Sequence, residues 1–151
     1  MTAWWVLAAA VAVLVLSRFR LRNGPTITLR DLPRAVAALT REGRDGDFLV
    51  VLFGPTGEDG GRLNLQFSIE DDRLGIDWVL LSGANVADRA RIVGFVQARG
   101  HVARELEMNG VRYLRVEDGD LPGLAHAILS ELYRVGPGAP LDLIVEGFTF
   151  E

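Results

Sequence analysis

Two patterns of apolar and polar positions stand out along the chain. Residues 48–53 (FLVVLF) are continuously apolar, and residues 63–69 (LNLQFSI) alternate strictly. A short apolar run rich in branched residues suits a central strand covered on both faces. The alternation puts Leu63, Leu65, Phe67 and Ile69 on one face and Asn64, Gln66 and Ser68 on the other, which predicts a half-exposed strand. A turn over Glu70–Arg73 feeds a third strand, Leu74–Leu81, with Ile76, Trp78 and Leu80 facing inward. Three strands with tight links make an antiparallel meander.

Helical spacing governs three other stretches. In residues 31–43 (DLPRAVAALTREG), Leu32, Ala35, Val36 and Leu39 share a face. Asp31 is the expected cap, Pro33 fits the first turn, and Gly43 stops the run. A second helix is expected from a cap at Asn85 to about Arg99, with Val86, Ala90, Val93 and Val96 near one face and Gly100 ending it. A third spans residues 120–133 with Leu121, Leu124, Ala125, Ile128 and Leu132 on its inner stripe, and the Gly136–Pro140 break ends it. The shared start, Asp-Leu-Pro at 31–33 and 120–122, reads as one favourable opening used twice. Between the second and third helices, Asn109-Gly110 joins two strand-like runs. Both central positions of such a turn need positive φ, so the pair marks a hairpin. Residues 141–150 (LDLIVEGFTF) add a terminal strand, placed at this sheet's edge or at a neighbour's.

The order that results is α-β-β-β-α-β-β-α plus a terminal strand. It predicts an α+β domain over residues 31–151, an antiparallel sheet with helices packed on one face. That order resembles the type III secretion chaperone-like fold, which includes the YbjN-like bacterial proteins. The resemblance covers residues 31–134 and rests on element order. It implies a binding or chaperone-like module, often dimeric, that holds another polypeptide.

The N-terminal pattern is of another kind. Residues 3–16 (AWWVLAAAVAVLVL) carry no polar side chain apart from the indoles of Trp4 and Trp5. Extended to Leu21, the run is about nineteen residues, roughly 28 Å of helix, close to the hydrocarbon thickness of a bilayer. Arg18, Arg20 and Arg22 all follow it, and no basic side chain precedes it. A secretory signal would carry its charge first. The positive-inside rule therefore predicts a single-pass anchor in the inner membrane, N-terminus outside and domain cytoplasmic. On this reading residues 1–22 are the anchor with its basic flank, and residues 23–30 are a linker. A cleaved signal peptide and a buried or interfacial helix are the competing readings.

Charge and composition then narrow the chemistry. Beyond residue 22 there are 13 arginines against 20 acids, a net −7. Such a domain repels phosphate backbones, which argues against nucleic acid. All sixteen basic residues are arginine, and cysteine is absent. Lysine nucleophiles, thiolate metal sites and disulfides are thereby excluded.

The glycine-rich loop after the first strand (GPTGEDGG, 54–61) invites a nucleotide reading. A phosphate loop needs a second glycine at the proper spacing, then Lys and Ser/Thr, then a helix. Position 59 is instead Asp, no lysine follows, and the next element is a strand. The loop is expected to be a wide hairpin connection, with no nucleotide bound.

Acidic groups at Glu58-Asp59, Glu70-Asp71-Asp72 and Glu117-Asp118-Asp120 lack calcium-loop spacing. Ser17, Ser68, Ser82 and Ser130 lie outside any nucleophile elbow, and Ser82 to Asn85 reads as a strand-to-helix turn. His101 and His126 have no recognised zinc spacing. No catalytic, cofactor or metal residue is therefore assigned.

The expected function is a non-catalytic, membrane-anchored interaction or chaperone-like module that binds a protein partner or itself, with Phe67, Trp78, Leu143, Val145, Phe148 and Phe150 as the contact surface. The alternative is a small hydrolase or metal-dependent enzyme using His101 or His126 with nearby acids. An envelope scaffold would differ from the first reading only in stoichiometry.

Overall fold

The computed structural model describes residues 25–151; the predicted anchor lies outside the described residues. The chain forms β1 (Thr26–Ile27), α1 (Leu32–Glu42), β2 (Phe48–Phe53), β3 (Leu63–Glu70), β4 (Arg73–Val79), α2 (Gly83–Ala87), α3 (Arg89–Ala98), β5 (Arg104–Met108), β6 (Val111–Val116), α4 (Leu121–Ala127), a π-helical turn (Ile128–Leu132) and β7 (Leu141–Glu146). This is an α+β fold with one seven-stranded sheet, ordered β1-β7-β2-β3-β4-β6-β5. Every pairing is antiparallel.

The meander and the Asn109-Gly110 hairpin form as their patterns predict. Asn109 and Gly110 both take positive φ, and so do Asp71 and Asp72 in the β3–β4 turn. The terminal strand takes an interior place: β7 pairs with β2 on one side and with β1 on the other. The expected linker therefore contains a short strand.

The main core lies between one face of the sheet and the helices. Leu49, Val51 and Phe53 of β2 meet Leu32, Val36 and Leu39 of α1 there. Leu65 and Phe67 of β3, Ile76 and Trp78 of β4, and Leu124 and Ile128 complete it. Tyr133 stacks on Trp78, with ring centroids 6.0 Å apart.

Two local expectations fail. Asp31 makes no side-chain cap to α1. Its carboxylate turns back to accept from the Thr28 N–H and hydroxyl. Asp120, in the same tripeptide, does cap α4, accepting from the Gly123 N–H at 3.0 Å. The expected second helix is two helices meeting at Asp88, and its cap is Ser82 rather than Asn85. Val86, placed by its spacing on the inner face, is exposed, and Ile92 and Val96 are the buried residues of α3.

Candidate functional site

The second face of the sheet carries the unexpected chemistry. Its membership follows from register. Leu52, Val50 and Phe48 of β2 lie opposite Asn64, Gln66 and Ser68 of β3. Gln66 lies opposite Asp77 of β4, and Asp77 opposite Arg115 of β6. Ile144 of β7 sits beside Val50.

Alternation predicted that Asn64, Gln66 and Ser68 would be half-exposed; each is 2% exposed. They are drawn into a polar network centred on Arg115, whose side chain is wholly buried. The guanidinium Nη1 donates to Asp77 and to the Ser68 hydroxyl, both at 2.8 Å. Ser68 in turn donates to Asp77 at 2.5 Å, and Gln66 donates to the same carboxylate at 3.3 Å. Nη2 reaches the Arg73 carbonyl at 2.9 Å, and Nε donates to Glu117 at 2.8 Å. A buried charge is tolerable only when paired and hydrogen-bonded in this way.

The surrounding acids respond to the same setting. The Glu70 carboxyl is pushed up to about 7, first by burial and then by the nearby charge of Asp77. Its Oε2 accepts from the Tyr113 hydroxyl at 3.4 Å. Glu117 is held below the usual carboxylate range by its hydrogen bond from Arg115. Burial opposes the charge on Arg115, but Asp77 and the bond to Glu117 raise its pKa above the ordinary arginine value.

Two apolar groups flank the network. On one side Phe48, Val50, Leu52 and Ile144 form a buried cluster. On the other, Val79 and Tyr113 pack with Leu81, Leu106, Met108 and Val111. The helical side chains of the main core all join the opposite face, so no described helix layers this one. Three buried acceptors here have no partner among the described residues: Asn64 Oδ1, Gln66 Oε1 and Glu70 Oε1.

An open groove of about 780 Å³ lies nearby, with Arg73, Arg104, Glu117, Val102, Asp120 and Pro122 among its lining residues. Its charged groups pair with one another: Glu117 meets Arg73 at 3.8 Å and Arg104 at 3.4 Å.

The residues singled out from sequence go elsewhere. Phe67, Trp78 and Leu143 lie in the main core, at most 1% exposed. Val145, Phe148 and Phe150 pack partly buried against that same core. None of the first three is presented to solvent.

His101 Nδ1 lies 3.1 Å from the Asp118 carbonyl, and His126 Nδ1 lies 3.4 Å from Ser130 on its own helical segment. Neither histidine is bonded to a carboxylate, and among the described residues no group of three His, Asp or Glu is placed to hold a metal ion. Ser68 has an acid beside it, but its hydroxyl is buried and already bonded to both Asp77 and Arg115, so it faces no open site.

The glycine-rich loop is closed by its own acid. Asp59 accepts from the Gly61 N–H at 2.9 Å and the Gly83 N–H at 2.7 Å. Those backbone donors are the kind a phosphate would need. The loop thus ties β2–β3 to the start of α2.

Asn85 has a role its sequence position did not suggest. It is fully buried. Its side chain accepts from the Asn64 N–H and donates to the carbonyls of Asn64 and Val79, while its own carbonyl accepts from the Trp78 indole.

No protein-family model, no curated protein and no solved structure matches this chain.

Proposed function

We infer that the protein is a non-catalytic interaction module whose second sheet face seats an apolar polypeptide segment, and that residues 3–21 hold it at the cytoplasmic side of a membrane. The observation that carries this reading is the second face itself. A wide sheet places Phe48, Val50, Leu52 and Ile144 on a side that no described helix covers. Unpartnered acceptors beside them favour an occupant that also brings N–H or O–H groups. The resemblance to chaperone-like folds points the same way, toward holding another chain. Among the described residues no helix is long and apolar enough to cross a membrane, so attachment rests on the N-terminal run.

Crosslinking in intact membranes from a diazirine-bearing leucine analogue at Val50 tests the docking role. A reproducible adduct with one polypeptide, its own or another, is expected; adducts with lipid alone, or none, overturn it. The anchor is tested separately. Alkaline carbonate should leave the chain in the membrane pellet, and protease added from outside should spare the domain.

A further inference from the structure

We propose that, in the absence of a bilayer, residues 3–16 of this same chain lie across the second face of the sheet and form its missing layer. The proposal rests on the docking reading above and names the occupant.

Burial makes the first argument. Val50 is 0% and Phe48 2% exposed, yet the cluster they form holds only β2 and β7 side chains. Side chains of a sheet point alternately to either face, so residues on the face away from the helices need a cover of their own. None of the described helices supplies it.

Geometry makes the second. The Pro25 carbonyl accepts from the Leu143 N–H at 2.9 Å, and Thr26 pairs with Asp142. The described chain therefore begins beside Leu143, one position from Ile144 on the uncovered face. The eight residues 17–24 between the apolar run and this point are ample to turn onto the face, at roughly 3.3 Å each when extended.

Size and composition make the third. From β7 across β2, β3 and β4 to β6 is about 19 Å at the usual strand spacing. A fourteen-residue helix is about 21 Å long. The run is rich in alanine at positions 8, 9, 10 and 12, and small side chains let a helix approach closely. Trp4 and Trp5, at its far end, would reach the second apolar group around Val79 and Leu106 and offer two indole donors.

The segment has one place at a time. Inserted in lipid, it leaves the face open to a partner; out of lipid, it closes the face. The chain would thus shield its own apolar run before insertion.

The test uses the full chain, made by cell-free synthesis without membranes. A diazirine-bearing leucine analogue replaces Ile144, and trypsin digestion follows irradiation. An adduct joining residues 1–18 to residues 135–151 within one chain is expected, and liposomes of phosphatidylethanolamine and phosphatidylglycerol should reduce it at least fivefold. Mixed isotopically light and heavy chains separate this from a swap between copies. Adducts only between copies, or only with another polypeptide, overturn the proposal and leave the docking reading standing; no polypeptide adduct with or without liposomes sinks both.

A second measurement exploits the absence of cysteine. Val50→Cys should resist maleimide, reacting at least tenfold more slowly than Val102→Cys on the surface. Adding Val11→Arg and Val13→Arg should bring Val50→Cys to the surface rate while Leu49→Cys, its neighbour on the helix-covered face, stays protected. Surface-rate labelling of Val50→Cys in the unaltered run overturns the proposal.

Discussion

Gly75 lies directly beneath the guanidinium of Arg115. A methyl group there would come within 2.7 Å of Nε and Nη1 and closer still to Cζ. Glycine is ordinarily a weak strand residue; here its missing side chain is the space the arginine occupies. Gly75→Ala should therefore destabilise the fold by about 2 kcal/mol, the cost of overpacking and of displacing a paired charge. Urea denaturation checks the sign, since at a tolerant strand position the same change would stabilise.

Removing one member of the buried pair should cost more than removing both. Arg115→Met leaves Asp77, 2.8 Å from the lost guanidinium, enclosed without its partner, at a cost of about 3–5 kcal/mol. The double variant Arg115→Met, Asp77→Leu should recover most of that loss. A thermodynamic cycle in urea measures the difference.

Glu70 gives the fold a pH dependence of unusual sign. Its folded pKa, about 7, lies above the ordinary 4.5. Between those values the unfolded chain releases a proton that the folded one keeps. Stability contributed by this group is therefore complete below pH 4.5, falls as pH rises through the window, and is level above 7. The loss should be about 2 kcal/mol, allowing for partial solvent access. Glu117, whose pKa is lowered, acts oppositely and below pH 4.5. The difference between the native chain and Glu70→Gln, measured from pH 4.5 to 8, isolates the Glu70 slope.

Asp59 should behave as a clasp. Asp59→Ala frees the Gly61 and Gly83 N–H groups and should cost about 1 kcal/mol. Hydrogen exchange at those two amides should accelerate more than at Val50 or Val51. Added nucleoside triphosphate should protect neither.

Asn85→Leu should be more damaging than its loop-adjacent position suggests. Three buried backbone groups, the Asn64 N–H and the carbonyls of Asn64 and Val79, would lose their partners. A cost of about 3 kcal/mol is expected, with a changed near-ultraviolet circular dichroism signal from Trp78.

Local signals were legible in the sequence. The buried run of β2, the Asn109-Gly110 turn, the helical stripe of α1 and the cap at Asp120 all follow from neighbours within a few positions. The buried network was not. Asn64, Gln66 and Ser68 look like a solvated side because polarity normally marks one, and their partner Arg115 lies 47 positions beyond Ser68. An arginine flanked by apolar residues in one strand, with an aspartate 38 positions earlier in another, was the available signal. Phe67, Trp78 and Leu143 were placed on a contact surface because apolarity alone cannot tell a covered face from an open one. The two Asp-Leu-Pro starts differ because Thr28 offers Asp31 a nearer donor.

The pairing of β1 with β7 bears on how the chain is made. Thr26 and Asp142 are 116 positions apart, yet their strands are neighbours, and β7 also covers the flank of β2. Synthesis proceeds from the N-terminus, so β2 emerges with one edge bare and stays so until Glu146 has been added. Pairings this distant in sequence form slowly. For that interval the growing chain carries both an apolar N-terminal run and an unpaired strand edge, two features prone to aggregation. Completion of the sheet is therefore a late event, timed by the last strand rather than by the first.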